Sequence, residues 1–186
     1  HALAFRLSEG YLGLSSALRF HNLLEYEDFT IFMITSSYRK KLLLKGTEYA
    51  LQFIPFQELY TGFVKQEKIF VSTKEKTLFD CLLKPGYVGY SVVTKALYEA
   101  QPINWRSFLS YFRLTKNNSL AQRTGYILEL LQKVTKMKVP SFVFKELQQR
   151  VATPVKLMAT GKTSTFNKAW KVQDNLGEKN ILSWWY

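Results

Sequence analysis

Apolar residues follow two patterns along the chain. Up to about residue 72 they alternate with polar ones or run together over short stretches, and from there to about residue 151 they recur every third or fourth position. The first pattern predicts strands. Phe29-Thr-Ile-Phe-Met-Ile-Thr35 carries β-branched and aromatic residues with apolar side chains for both faces, as a strand in the middle of a sheet would. Tyr49, Leu51 and Phe53 alternate with Ala50, Gln52 and Ile54 until Pro55 stops the run, and Phe63-Val64 and Ile69-Phe70-Val71 flank the polar Lys65–Lys68 as a hairpin would. Ahead of these, a short helix is predicted from Ser15 to about Asn22, with Ser15 or Ser16 as its cap and the acidic stretch Glu25–Asp28 as its end. Ser36–Lys41 reads as a basic loop.

The second pattern predicts helices. Ser72-Thr73-Lys74-Glu75 has the form of a capping box, in which the serine and the glutamate satisfy each other's backbone amides; Leu78, Phe79, Leu82 and Leu83 follow, and Lys84-Pro85-Gly86 ends the run. Further helices fit Ser91–Glu99, Asn104–Leu114, Asn118–Val134 with Asn118 as cap, and Ser141–Val151 behind Pro140. After Pro154 the pattern returns to short extended pieces, Val155–Met158 and Phe166–Val172, and ends on Ile181-Leu-Ser-Trp-Trp-Tyr186. Strands first, helices next and strands last predict an α+β domain rather than alternating βαβ units. The expectation is one domain over residues 1–186: a small mixed or antiparallel sheet drawn from the first third and the C-terminus, packed on about five amphipathic helices. The helical part covers about 73–151 and the basic extended part about 152–186.

Composition narrows the classes. With 186 residues, 47% apolar and 16% aromatic, the chain is long and apolar enough to fold around its own core. A single cysteine, Cys81, excludes a disulfide scaffold or a cysteine-based zinc site, and fits a reducing, cytoplasmic setting. No apolar run reaches the ~18 residues of a membrane span. The chain starts at His1 without a methionine, which fits a fragment of a longer protein and equally a processed start.

Charge changes the picture most. The net charge is +12, and it is lopsided: residues 1–93 hold 11 basic and 9 acidic groups, residues 94–186 hold 15 and 5. Between Lys133 and Lys171 nine basic residues face only Glu146. Such an excess suits phosphate. The candidate phosphate contacts are Lys133, Lys136, Lys138, Lys145, Arg150 and Lys156, with Arg39, Lys40 and Lys41 in the earlier basic loop.

Enzyme chemistry is poorly supplied by comparison. Gly161-Lys162-Thr163-Ser164-Thr165 has the tail of a P-loop, but Lys156 stands where that loop needs its first glycine. No Asp or Glu has a lysine two positions later, so the metal-holding pair of many nucleases is missing. His21 is the one interior histidine and reads as a satisfied helix-end residue, Cys81 as a small buried hydrophobe, and Trp105, Phe108 and Phe112 as core. Neither a catalytic set, a metal site nor a cofactor is expected, although a nucleic-acid-processing enzyme remains an alternative on charge alone.

Two segments carry a resemblance. Glu75-Lys76-Thr77-Leu78-Phe79-Asp80-Cys81-Leu82 is similar to the E-K-T-L-x-D-x-L signature of AbiEi-type antitoxins, and Ala121-Gln122-Arg123-Thr124-Gly125-Tyr126-Ile127-Leu128-Glu129 resembles their A-x-R-x-G-x-L-L-E helix. Tyr11–Leu18 looks like the opening of the same region and Asn167-Lys-Ala-Trp170 like its closing strand. The resemblance implies an antitoxin and transcriptional regulator that opposes a nucleotidyltransferase-like toxin and helps repress its own operon, with operator DNA and the toxin as partners and no membrane. The family's usual N-terminal winged helix has no counterpart here, because the match begins almost at His1. A stand-alone DNA-binding module is the alternative regulator reading. No catalytic role transfers. Asp80 and Arg123, both on apolar helices, are expected to meet and pin those helices together, Ser72 and Glu75 to cap, and Lys74 and Lys76 to stand exposed for a partner.

Overall fold

The computed structural model describes residues 10–26, 28–162 and 165–186, and its fold is mixed α+β. The chain divides into two compact units. One runs to Val88 and takes in Pro102–Thr115; the other comprises Gly89–Gln101 and Lys116–Tyr186.

The first unit is built on a six-stranded sheet of β1 (Tyr11–Leu12), β2 (Thr30–Thr35), β3 (Leu42–Leu43), β4 (Ala50–Pro55), β5 (Phe63–Gln66) and β6 (Ile69–Ser72). Their order is β3-β4-β2-β1-β6-β5. β2 holds the interior position its apolar run predicts, parallel to β4 and antiparallel to β1, and Ile31, Phe32, Met33 and Ile34 are all buried. β5 and β6 form the predicted hairpin, and β6 lies parallel to β1. With period-two alternation, Ile31 and Met33 share a face with Leu51 and Phe53, and join Leu12, Val71 and Ala17 in one apolar core.

Helix α1 (Leu14–Phe20) supplies Ala17, and it starts earlier than the serines suggest, behind Gly13. Neither serine caps it. The Ser15 hydroxyl donates to the Asp28 carboxylate at 3.2 Å, and the Ser16 hydroxyl accepts the Phe32 N–H at 2.8 Å, which ties helix to strand. A side chain at position 13 would fall 2.4 Å from Ile34, so only glycine lets β1 turn into α1 against β2.

Helix α2 (Lys74–Leu83) is capped by Thr73, whose hydroxyl accepts the Lys76 N–H at 3.4 Å. The capping box expected of Ser72 and Glu75 is not formed. Ser72 is the last residue of β6 and is buried, with its hydroxyl on that of Thr77 at 2.6 Å and on the Leu12 carbonyl at 3.2 Å. Glu75 instead accepts the Asn104 N–H at 3.0 Å, at the start of another helix. Lys84-Pro85 ends α2 as predicted, but Pro85 also opens the short helix α3 (Pro85–Val88), a position where its missing N–H does no harm. The chain then leaves this unit for helix α4 (Tyr90–Glu99) and returns as α5 (Trp105–Arg113), which packs on α2 and buries Trp105, Phe108 and Phe112.

In the second unit, helix α6 (Asn118–Thr135) is the axis, packed on α4, α7 (Ser141–Gln148) and the strands β7 (Val155–Lys156) and β9 (Val172–Asp174). Its cap is Asn117 rather than Asn118, accepting the Leu120 N–H at 2.9 Å. A three-stranded sheet, ordered β7-β9-β8 with β8 at Thr165–Asn167, and a last helical turn α8 (Glu178–Ile181) complete the unit. The strands of the two ends of the chain thus form two sheets, where one was expected. Gly125 is the point of closest approach: a Cβ there would lie 2.1 Å from the Trp170 ring, so the bare helix backbone is what admits the indole. None of the described helices is long and apolar enough to cross a membrane.

Candidate functional site

The C-terminal end of α6 gathers three of the predicted basic residues. Lys133 is exposed in the last turn, and Lys136 ends the helix in the left-handed conformation, φ +62°. Beyond it, Met137 and Val139 are buried while Lys138 is exposed, so the alternation that anchors this connection turns Lys138 outward. Positive side chains here also suit the negative end of the helix dipole.

Two neighbouring clefts run along this end of α6, sharing Gln132 and Lys136. One, of about 480 Å³, is also lined by Glu129, Lys133, Phe144 and Trp170; the other, of about 420 Å³, by Lys138. Trp170 is itself buried beneath the surface and donates its indole N–H to the Glu129 carboxylate at 2.6 Å. Its backbone is fixed from both sides, the N–H by Asn167 and the carbonyl by Gln122, each at 2.9 Å. The lysines therefore stand beside a rigidly held floor. An ammonium group meets a phosphate oxygen as a point charge, without the planar fork by which a guanidinium takes two oxygens at once.

The other predicted contacts are not brought into this group of clefts. Lys145 is exposed on α7, Arg150 is half-buried just beyond that helix, and Lys156 is exposed on β7. Arg39, Lys40 and Lys41 belong to the first unit, between β2 and β3.

The resemblance signature lies inside the first unit. Lys76 and Asp80, one turn apart on α2, are both 0% exposed and form an ion pair, so Lys76 is not the exposed partner residue expected of it. The Lys76 ammonium also donates to the Tyr11 hydroxyl at 3.2 Å, and that hydroxyl lies 3.5 Å from the second Asp80 oxygen. Rings of Tyr11, Phe56, Phe79 and Tyr111 surround Nζ at 5.0–5.7 Å. Burial pushes the Asp80 carboxyl up to about 7, against the pull of the Lys76 charge. It holds Lys76 below the usual ammonium range and Tyr11 and Cys81 above theirs. A depressed lysine is a candidate for amine chemistry, but this one is sealed from any substrate. Lys74 is half-buried and donates to the Pro102 carbonyl at 2.8 Å.

The expected pairing of Asp80 with Arg123 is not made. Asp80 takes its partner from one turn away on its own helix, and the Arg123 guanidinium donates to the Lys156 carbonyl at 2.8 Å. The signal that could have found the true pair was present: Lys76, Phe79, Asp80 and Leu83 fall on one helical face.

His21 stands at the end of α1 with a ring nitrogen 2.7 Å from the Ser72 carbonyl, as a satisfied helix-end residue would. Trp184 donates to the Thr94 hydroxyl at 2.9 Å, while Trp185 and Tyr186 are exposed. Thr163 and Ser164, within the basic segment that imitates a P-loop tail, lie outside the described residues. Among the described residues, no three His, Cys, Asp or Glu side chains are grouped as ligands for a metal ion. No family model, curated protein or solved structure matches the chain.

Proposed function

We propose that this chain is the non-enzymatic effector region of an antitoxin-type regulator. It acts in the cytoplasm, opposes a nucleotidyltransferase-like toxin, and contributes nucleic-acid backbone contacts to repression of its own operon. The observation that carries the nucleic-acid part is the grouping of Lys133, Lys136 and Lys138 along adjoining clefts at one end of α6. The resemblance of Glu75–Leu82 and Ala121–Glu129 to AbiEi-type antitoxins supports the antitoxin part.

Backbone contacts of this kind add affinity without sequence preference, and each phosphate neutralised steepens the salt dependence by about −0.9 in log–log slope. Lys145, Arg150 and Lys156 extend the same positive field at longer range. The direct test is growth of cells that carry this chain together with a nucleotidyltransferase-like toxin. Rescue supports the reading. Undiminished toxicity with the chain present and folded removes the antitoxin part, and an affinity for duplex DNA that does not change between low and moderate salt removes the nucleic-acid part.

A further inference from the structure

β3 ends the order of the six-stranded sheet, and among the described residues no strand pairs with its far side. Leu44 N–H donates to the Tyr49 carbonyl at 3.0 Å, and the Ala50 N–H points the other way, to the Phe29 carbonyl at 2.9 Å. In an antiparallel ladder with Leu43 opposite Ala50, these two bonds turn the N–H and C=O of Leu43 away from β4. The side chains of the strand itself are apolar and uncovered: Leu43 is 71% exposed and Leu42 42%. Between Ser36 and Tyr49 the chain carries Arg39, Lys40, Lys41 and Lys45 against the single carboxylate of Glu48.

We propose that this edge receives an extended acidic segment of a partner protein as an added strand. Lysines on an edge are a known guard against pairing with a second copy, since like charges then face each other across the new ladder. They are no guard against a strand of opposite sign. The leucines are the second half of the argument. A phosphate can accept from an outward N–H but answers neither the outward C=O beside it nor exposed leucines, whereas an added strand uses all three, through main-chain bonds and alternate side chains. Acidic residues on the incoming strand answer Lys40, Lys41 and Lys45, and apolar ones cover Leu42 and Leu43. This surface lies in the first unit, so the reading stands or falls separately from that of the α6 lysines.

The test titrates the full chain into a short fluorescent peptide of alternating Glu and Val, read by anisotropy at low salt. Saturable binding is expected. Leu43→Pro, which removes an outward N–H and leaves the bonds of its neighbours to β4, is expected to weaken it by about tenfold, the effect of losing one main-chain bond. Should that variant unfold, the same loss is expected with unaltered protein and a peptide N-methylated on alternate residues. Charge reversal at Lys40 and Lys41 is expected to abolish binding. Three results overturn the proposal: no binding at low salt, equal binding of the N-methylated peptide, or displacement of the peptide by single-stranded DNA or phosphatidylserine vesicles that bind Leu43→Pro as well as the parent chain.

Discussion

Lys76 and Lys133 are the same side chain on two helices of one chain, and their surroundings could hardly differ more. Lys76 sits in the middle of a unit, closed in by four aromatic rings and neutralised by Asp80 one turn away. Lys133 stands in solvent at the end of α6 beside Lys136, lining a cleft. The position of each is decided by what shares its helical face: Phe79 and Asp80 draw Lys76 inward, whereas the exposed Glu129 and Lys136 leave Lys133 outside. The motif that gives the chain its resemblance is therefore a folding element, and the residues available for phosphate lie elsewhere.

The largest effects are expected where the charges are buried. Asp80→Leu alone strands the Lys76 ammonium inside and should cost about 3–5 kcal/mol, measured by urea denaturation. Lys76→Met combined with Asp80→Leu should recover most of that loss, because a buried pair exchanged for apolar side chains of similar volume is often neutral. A single-variant loss below about 1 kcal/mol would place the pair in water, in the range of surface ion pairs, and end the comparison.

The same centre gives stability a pH dependence of definite sign. The Asp80 carboxyl titrates near 4 in an unfolded chain and at about 7 in the fold, so between those values the folded protein keeps a proton that the unfolded chain releases. Its contribution is present in full below about pH 4 and is lost as the pH rises through about 7. Thermal melts across that range should fall more steeply for the parent chain than for the Lys76→Met, Asp80→Leu double variant. Parallel curves would show that Asp80 does not titrate there.

A smaller effect is expected in the second unit, where a helix and an indole fit closely. Gly125→Ala puts a methyl group 2.1 Å from the Trp170 ring. The overlap should cost about 1–3 kcal/mol, more than the ~1 kcal/mol that alanine gains over glycine within a helix. A variant more stable than the parent would mean that the indole can withdraw.

Much of this was readable in the amino-acid pattern. The run Ile31–Ile34 identified an interior strand because its residues suit both faces, and Trp105, Phe108 and Phe112 identified a buried helix face. What escaped was set by distant partners. Tyr11–Leu12 is a strand of two residues that exists because β2 and β6 flank it, and no local pattern specifies that. Lys76 shares a helical face with Phe79, which the general rule that lysines face water conceals, and Asp80 pairs with the lysine one turn before it on that face and not with a distant arginine. Thr73 rather than Ser72 caps α2 because Ser72 ends β6 and its hydroxyl is taken by the Leu12 carbonyl and the Thr77 hydroxyl. The basic residues were countable from the start, but only folding divides them, placing Lys133, Lys136 and Lys138 along one pair of clefts and Arg39–Lys41 in the other unit.

The smallest effect on stability should accompany a clear effect on binding. Lys133→Gln and Lys136→Gln remove exposed charges and leave the polar lining in place, so denaturation midpoints should shift by no more than about 0.5 kcal/mol. Each substitution should nevertheless lower the log–log salt slope of duplex DNA binding by about 1, and should do so equally on any sequence, as for a lysine that meets only phosphate. Lys76→Gln, by contrast, should unfold the first unit without a specific change in slope. If removing Lys133 and Lys136 leaves the slope where it was, the exposed lysines of α6 are ordinary solvated charges, and phosphate is held by another part of the surface.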